Sequence, residues 1–204
     1  MKAFQELKVL GAKRSAIKRY IESYAEIKQY LQGSVLDVGE RSAFTEWLEQ
    51  QEPIKITCTE SRELRERLPF NDGQFDFIIF TEVLEHLRDV EETPRHEWHY
   101  TGMLACLREL RRIGKRIFLT TPNVCSIRCI ERQLDEQHPF EYKKHVRELS
   151  PTCVKNLLKE SGWKLESIRT SNIWGGGCRR LTTILRSQMT NFSLHGDCIY
   201  AHAF

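Results

Sequence analysis

The sequence has no long hydrophobic run. No window approaches the roughly 20 consecutive apolar residues that a membrane-spanning helix needs. The first residues, MKAFQELKVLGAKR, lack the apolar core of a signal peptide. We therefore expect a protein without a membrane span that is located in the cytoplasm.

Paired cysteines and an excess of one charge are missing as well. The 7 cysteines form neither a C-x-x-C pair nor a metal-binding spacing, which predicts reduced, mostly buried thiols. With 31 Lys and Arg against 28 Asp and Glu the net charge is +3, and there is no basic tail. This balance argues against a nucleic-acid substrate.

What the chain does contain is an alternation of helical and strand patterns. Its 204 residues, 40% hydrophobic and 29% charged, fit one globular domain. Helical spacing predicts helices at residues 16–31, 43–51, 104–113 and 151–161. Short apolar runs with turn signals predict strands at 35–38, 54–59, 75–80, 116–121, 163–170 and 197–203, the last as an edge strand. Residues 89–100 are predicted to be a loop, and 181–188 are ambiguous between helix and strand.

The first predicted helix has a basic beginning. Ser15 is a candidate N-cap and Gly33 a candidate end signal. The nearby cations either form a solvated face or line an entrance that favours an anionic substrate; they are Lys13, Arg14, Lys18 and Arg19.

The stretch SVLDVGE, residues 34–40, is the first candidate binding site. A short apolar run that ends in Asp37 and Gly39 is typical of a buried parallel strand, and open α/β sheets bind ligands at the carboxyl ends of such strands. Glu60 stands at the end of the second strand, where a carboxylate can accept hydrogen bonds from a ribose diol. The next segment, 61–68, is short: either a crossover helix is trimmed to a turn, or Glu63–Leu64 is a rudimentary strand. No G-x-G-x-x-G follows the first strand, which disfavours a nicotinamide dehydrogenase.

Five ordered motifs resemble those of the class I S-adenosylmethionine-dependent methyltransferases. They are VLDVGE at 35–40, TE at 59–60, LPFNDGQFDFIIFTEVLEHL at 68–87, TTPN at 120–123 and HVRELSPTCVKNLLKESGWKLESI at 145–168. The resemblance implies an α/β, Rossmann-like, seven-stranded, mostly parallel sheet with an antiparallel edge strand and helices on both faces. It also divides the chain into an N-terminal helical segment, 1–32, acting as a lid or flank, and a single methyltransferase domain, 33–204.

The first loop departs from the pattern of the family. The family usually carries two or three glycines there, whereas only Gly39 remains in this chain. Arg41 follows in the same loop and must either point away or contact the methionine carboxylate of the cofactor. The missing glycines favour an alternative function, a degenerate cofactor-binding domain without catalysis.

The resemblance also implies S-adenosyl-L-methionine as cofactor and a set of contacts for it. Asp37 and Gly39 would line the methionine part, and Glu60 would hold the ribose hydroxyls. Glu63 and Leu64 would lie near adenine. Thr81 and Glu82 would lie beside the transferred methyl group.

Histidines after the central strand and before the last predicted helix are the candidate general bases. His86 and His145 are the catalytic candidates, and His138 is a weaker one, because histidine titrates near neutral pH. The residues expected to meet the acceptor are His138, Tyr142, Arg147 and Glu148, with Arg147 suited to an anionic group. Our assignment contains no metal. An alternative is a divalent metal site made of Glu82, Glu85 and His86, which resembles that of some quinone-type relatives.

The function predicted from these features is transfer of a methyl group from S-adenosylmethionine to an oxygen or nitrogen atom. The expected acceptor is a small molecule or a glycan, with a negatively charged acceptor as one option. An RNA methyltransferase is the third reading, and the chain lacks the Asn-Pro-Pro-Tyr type of motif expected of many enzymes that modify amino groups of nucleic acids.

Overall fold

Six strands form one sheet in the computed structural model, which describes residues 2–90, 100–138, 142–173 and 196–204. The strands are β1 Val35–Asp37, β2 Ile56–Cys58, β3 Phe77–Thr81, β4 Ile117–Pro122, β5 Leu165–Ser171 and β6 Cys198–Ala203. The helices are α1 Lys2–Val9, α2 Arg14–Ile27, α3 Ala43–Gln51, α4 Thr101–Ile113, α5 Ile127–Leu134 and α6 Pro151–Glu160. None of the helices in these ranges is long and apolar enough to cross a membrane.

The sheet is mixed, and its strand order is β2-β1-β3-β4-β6-β5. The first four of these strands pair in parallel, and β6 runs antiparallel to both β4 and β5. The prediction of seven strands is wrong for the described residues, because the short connection after β2 contains turns and no strand at Glu63–Leu64. The trimmed crossover was therefore the correct alternative.

The placement of β6 corrects a second prediction. The alternation in residues 197–203 predicted an edge strand, but β6 lies between β4 and β5 and all six of its residues are buried. Its polar members caused the error. His202, 5% exposed, and Tyr200, 1% exposed, face covered layers of the protein rather than solvent. Sequence 181–188 lies outside the described residues, as does most of the predicted loop 89–100.

Both faces of the sheet are covered, as predicted. Phe77 and Ile79 of β3 belong to the core cluster that contains Ile17 of α2 and Trp47 of α3. Ile78 and Phe80 point to the opposite cluster, which contains buried residues of α4 and α6. A strand buried on both sides reads as a continuous apolar run, which is why β3 was recognisable.

The N-terminal helices α1 and α2 pack with α3 on the face of the sheet that carries Phe77 and Ile79. The Trp47 indole donates a hydrogen bond from Nε1 to Glu6 Oε2 at 2.9 Å, and Tyr20 stacks on Phe44 with ring centroids 4.7 Å apart. Helix α2 begins at Arg14 with Lys13 as its N-cap, so Ser15 is not the cap and Gly33 lies beyond the helix end. The packing fixes the first turns of α2 over the carboxyl edge of the sheet, beside β3.

Candidate active site

Three neighbouring strands leave the sheet through residues with positive φ. Gly39 follows β1 with φ 131°, Glu60 follows β2 with φ 56°, and Glu82 follows β3 with φ 56°. Glutamate adopts this left-handed conformation rarely, and such residues concentrate at functional sites. The strand order β2-β1-β3 makes the three residues neighbours along the edge where open α/β sheets bind ligands.

Asp37 is the buried carboxyl group of this edge. It is 6% exposed, and its Oδ2 accepts a hydrogen bond from Thr45 Oγ1 at 2.5 Å. Thr45 lies in the first turn of α3, where it forms a capping box with Ser42. Burial raises the pKa of Asp37 to about 6, although the hydrogen bond from Thr45 opposes the rise. Asp37 therefore ties α3 to β1 and titrates close to neutral pH.

The loop after β1 is held by hydrogen bonds to the end of β2. Gly39 N donates to Thr59 Oγ1 at 2.8 Å, and Glu60 N donates to Gly39 O at 2.8 Å. A Cβ atom added at Gly39 would meet nothing within 4 Å, so open space lies above this backbone. Arg41 is paired with Glu49 of α3, so it points away from the space above Gly39.

These features fit the predicted cofactor. Open space over a fixed loop lets a ligand approach backbone groups closely. The exposed Glu60 follows the neighbouring strand β2, and its backbone is hydrogen-bonded to Gly39 of the same loop network. Glycines beyond Gly39 are therefore not needed to clear the space above the loop.

The residues predicted to lie near adenine have other partners. Both oxygens of the Glu63 carboxylate accept hydrogen bonds from the Arg65 guanidinium at 2.8 Å, which lower the pKa of Glu63 to about 2. The Leu64 side chain is 8% exposed and belongs to the hydrophobic core. Thr81 is the last residue of β3 and pairs with Thr120 of β4. Their contacts with a cofactor stay predictions.

Glu82 joins the end of β3 to α2. Its Oε1 accepts a hydrogen bond from Thr120 Oγ1 at 2.9 Å and lies 3.7 Å from Arg19 Nη1. The Cys198 thiol of β6 also contacts Oε1, at 3.7 Å. The carboxylate thus stands where β3, β4, β6 and the N-terminal helix meet.

A cavity of about 700 Å³ opens at Glu82. Its described lining comes from the first turns of α2, the start of α3, the ends of β3 and β4, α5, and the segment before α6. The lining residues are Gly11, Ala12, Lys13, Ser15, Ala16, Arg19, Tyr20, Ala43, Glu82, Glu85, His86, Pro122, Arg128, Tyr142 and His145. A volume of this size is typical of a small-molecule site.

Glu85 is a buried acid that lines the cavity. The residue is 0% exposed, and Thr121 Oγ1 donates to its Oε2 at 2.9 Å. Within the described residues its Oε1 accepts no hydrogen bond. Burial, with the nearby charge of Glu82, raises the pKa of Glu85 well above its ordinary value.

His145 is positioned by two acids. Its Nδ1 lies 2.6 Å from Glu148 Oε1, and its Nε2 lies 4.0 Å from Glu85 Oε1. The chain around His145 is fixed because Val146 N donates to the Glu85 carbonyl at 2.9 Å. Since a carboxylate only accepts, an ionised Glu148 places the proton on Nδ1 and leaves the lone pair on Nε2.

His86 lies beside His145, with ring centroids 4.8 Å apart. Its Nδ1 is 3.3 Å from the backbone carbonyl of Lys144, so the proton of a neutral His86 lies on Nδ1. Partial burial lowers the pKa of His86. Tyr142 packs edge-on against both histidines, at 6.4 Å from His86 and 5.6 Å from His145.

Glu85, His86 and His145 could hold a metal ion. One ligand atom of each lies within 4.8 Å of the others. A carboxylate with two imidazoles is a donor set suited to first-row divalent metals. The group differs from the predicted one, because His145 takes the place of Glu82.

The predicted acceptor residues separate in space. Tyr142, His86 and His145 line the cavity. Glu148 lies behind His145, and Arg147 turns to Asp89, with Nη2 2.6 Å from its Oδ2. His138 is exposed, and neither it nor Arg147 is among the described residues that line the cavity.

The sequence offered the basic beginning of α2 as one of two readings, an entrance to the site, but it missed the contribution of Tyr20 and of α5 to this cavity. Arg19 and Tyr20 reach it from α2, and Arg128 reaches it from α5. Helix α5 is short, which explains why residues 124–150 showed no period. Arg19 was among the cations offered for that entrance, but its position on α2, away from the apolar stripe, predicted an exposed side chain rather than the buried one observed.

Comparisons with known proteins agree with this geometry. A family profile described as a methyltransferase domain matches residues 11–168. No curated protein matches the sequence. A methyltransferase structure from Archaeoglobus fulgidus superposes with a TM-score of 0.62 at 15% identity, covering 98% of each chain.

Two further structures share the fold but differ in described function. A Thermotoga maritima protein described as a possible histamine N-methyltransferase superposes with a TM-score of 0.55 at 15% identity, over 100% of this chain and 99% of that chain. The small RNA methyltransferase HEN1 superposes with a TM-score of 0.51 at 12% identity, over 91% of this chain and 25% of that chain. Likeness at this level concerns the fold alone.

The chain belongs to the methyltransferase domain family and is a class I S-adenosylmethionine-dependent methyltransferase. S-adenosylmethionine is its cofactor. The family profile spans α2 and strands β1 to β4, and so includes the helix that lines the cavity.

Proposed function

We propose that the chain methylates an oxygen or nitrogen atom of a small molecule or glycan that binds in the cavity beside Glu82. The observation that carries this proposal is the cavity lined by Glu82 and His145 at the end of β3, the strand next to β1, whose own end carries the open space above Gly39. Methyl transfer is an in-line displacement, so the protein must chiefly hold the nucleophile and the methyl group in line.

The cofactor would lie across the three strand ends. Asp37 and Gly39 would contact the methionine part, and Glu60 would accept hydrogen bonds from the ribose hydroxyls. Glu82 and Thr81 would stand beside the transferred methyl group. The adenine ring would lie near Glu63 and Leu64, where only the Leu64 backbone is offered because its side chain is packed in the core.

His145 would act as the general base, with His86 as its neighbour. The imidazole lines the cavity and its Nδ1 lies 2.6 Å from Glu148 Oε1, which would orient the ring to take a proton from an acceptor there. The 7% exposure of the side chain limits its motion. Tyr142 would contact the acceptor, whereas Glu148 would orient the base. Arg147 and His138 would meet only an acceptor that extends beyond the described cavity.

A second candidate is metal-assisted methyl transfer at the same place. It is favoured by the group Glu85, His86 and His145 and by the Glu85 Oε1 atom that accepts no hydrogen bond within the described residues. A divalent ion there would lower the pKa of an acceptor hydroxyl. The protein residues would then serve as ligands rather than as bases.

Transfer of a labelled methyl group from S-adenosylmethionine tests both candidates. The acceptor panel should contain small carboxylates, phenols, amines, sugars and short RNA, with and without a chelator. We expect label on a small molecule or a sugar. Labelling of RNA alone would overturn the proposed acceptor class. Unchanged transfer after chelation, together with no binding of Mg²⁺, Mn²⁺ or Zn²⁺ by calorimetry, would remove the metal candidate.

A further inference from the structure

Arg19 is a buried guanidinium that lies over the Tyr20 ring, 5.1 Å from its centroid, and is only partly hydrogen-bonded within the described residues. The residue is 9% exposed although it belongs to the first turns of an N-terminal helix. Within the described part of the chain its Nε has no hydrogen-bond partner. Removing a polar group from water without pairing it costs free energy, and a charge costs more. Such a side chain therefore needs an explanation in the native protein.

Glu82 does not supply that explanation. The nearest carboxylate oxygen, Glu82 Oε1, is 3.7 Å from Arg19 Nη1, which is longer than a hydrogen bond. The same oxygen already accepts a hydrogen bond from Thr120 Oγ1 at 2.9 Å. A guanidinium presents five donors in a planar fork, and this contact satisfies none of them at hydrogen-bond distance.

Apart from Glu82, Glu85 and the two histidines, the acidic and basic side chains that line the described cavity with Arg19 are cations. Arg19 lines the cavity, and so do Lys13, Ser15 and Ala16 from the beginning of α2. Lys13 is the N-cap of this 14-residue helix and provides no side-chain cap. The amino end of a helix carries a partial positive charge that attracts anions. Arg128 adds a further cation from α5.

We propose that Arg19 binds a carboxylate or phosphate group of a molecule that occupies the cavity. The proposal rests on the proposed function, which places a cofactor and an acceptor at this position. The oxyanion comes either from the methionine carboxylate of the cofactor or from a negatively charged acceptor. In either case the oxyanion accepts hydrogen bonds from the guanidinium donors that Glu82 does not reach.

Calorimetric binding to native protein and to Arg19→Gln tests the proposal. The ligands are S-adenosylmethionine, decarboxylated S-adenosylmethionine, and inorganic phosphate added to protein saturated with S-adenosylhomocysteine. The matched control is Arg14→Gln, which makes the same change of charge on the same helix at an exposed position that does not line the cavity. Arg19→Lys retains the charge and serves as the folded variant if Arg19→Gln does not fold.

The outcomes separate the two sources. A roughly tenfold to hundredfold loss for S-adenosylmethionine in Arg19→Gln, without a loss for the decarboxylated cofactor, assigns the oxyanion to the cofactor. Unchanged cofactor affinity with loss of phosphate binding assigns it to the acceptor. In Arg19→Lys the same pattern is expected with a smaller loss, because an ammonium lacks the planar fork.

Other outcomes overturn the proposal. If the Arg19 variants bind the cofactor and phosphate as native protein and Arg14→Gln do, Arg19 is only a structural partner of Glu82. Failure of the proposed function looks different: native protein would then transfer no methyl group to any small molecule or sugar of the panel, while the cofactor and phosphate titrations would still report on Arg19.

Discussion

The two halves of this site are built differently. The proposed cofactor half consists of three adjacent strand ends, and its main residues lie at the ends of β1, β2 and β3 or within two residues after them. The proposed acceptor half is assembled from α2, the turn after β3, α5 and the segment before α6. Residues of the first half are fixed by the sheet itself. Residues of the second half meet only because distant segments pack together, so substitutions should affect the two halves separately.

The largest expected effect is on turnover, through His145. His145→Ala should reduce kcat by roughly a hundredfold to ten-thousandfold, which is the usual contribution of a general base. Affinity for S-adenosylhomocysteine should remain that of the native protein, because His145 belongs to the acceptor half. Single-turnover kinetics and calorimetry on the same preparation measure the two quantities. Full activity of the variant would remove His145 from the chemistry.

The next effect concerns pH and Asp37. Its folded pKa of about 6 lies above the ordinary value of about 3.9, so the folded state holds the proton more tightly than the unfolded chain. The contribution of Asp37 to stability is therefore complete below about pH 4 and is lost as pH rises through 6. The loss is at most about 3 kcal/mol.

Comparison with Asp37→Asn isolates this contribution. Urea unfolding of both proteins at pH 4.5 and pH 7 should show native protein losing stability relative to Asp37→Asn at the higher pH. A constant difference between the two proteins would mean that Asp37 titrates at its ordinary pKa. Binding of the cationic cofactor should favour the ionised carboxylate, so native affinity should also rise between pH 5 and 7.

Substitution of Glu60 should change only the affinity for the cofactor. Glu60→Ala should weaken binding of S-adenosylmethionine by about 1.5–3 kcal/mol, the worth of hydrogen bonds to a charged group. That is roughly tenfold to a hundredfold in Kd. The exposed Glu66→Ala is the control for loss of a negative charge in the same segment. Unchanged affinity by calorimetry would exclude Glu60 from the site.

Arg41 should show the smallest effect. Its side chain is 46% exposed and that of its partner Glu49 is 19% exposed, and ion pairs at the protein surface are worth about 0–1 kcal/mol. Arg41→Ala should therefore change the free energy of unfolding slightly and leave cofactor affinity unchanged. A loss of affinity as large as that of Glu60→Ala would return Arg41 to the methionine carboxylate and place it in the cofactor half.

The same contrast explains what the sequence could predict. Helix α3 was predicted with its observed bounds, and Asp37, Gly39, Glu60 and Glu82 were placed at strand ends, because local patterns determine these features. The burial of Arg19 depends on how α2 packs over the sheet, which no local pattern encodes. Likewise His202 is buried in an interior strand, and its polarity in the sequence predicted an edge.

The group Glu85, His86 and His145 shows what the sequence could and could not predict about the site. His86 and His145, which are 59 positions apart in the sequence, were selected from two different motifs. The structure brings the centroids of their rings to 4.8 Å from each other. Glu85 was joined to Glu82 by proximity in sequence, yet it is His145 that completes a group with Glu85 and His86. Sequence spacing identifies the chemical types, and packing decides the partners.

The most direct test of a cofactor half built on one glycine is a calorimetric titration of the purified native protein with S-adenosylmethionine and S-adenosylhomocysteine. We expect both to bind at a single site with micromolar Kd. A well-folded protein that binds neither would contradict the assignment of the three strand ends to the cofactor.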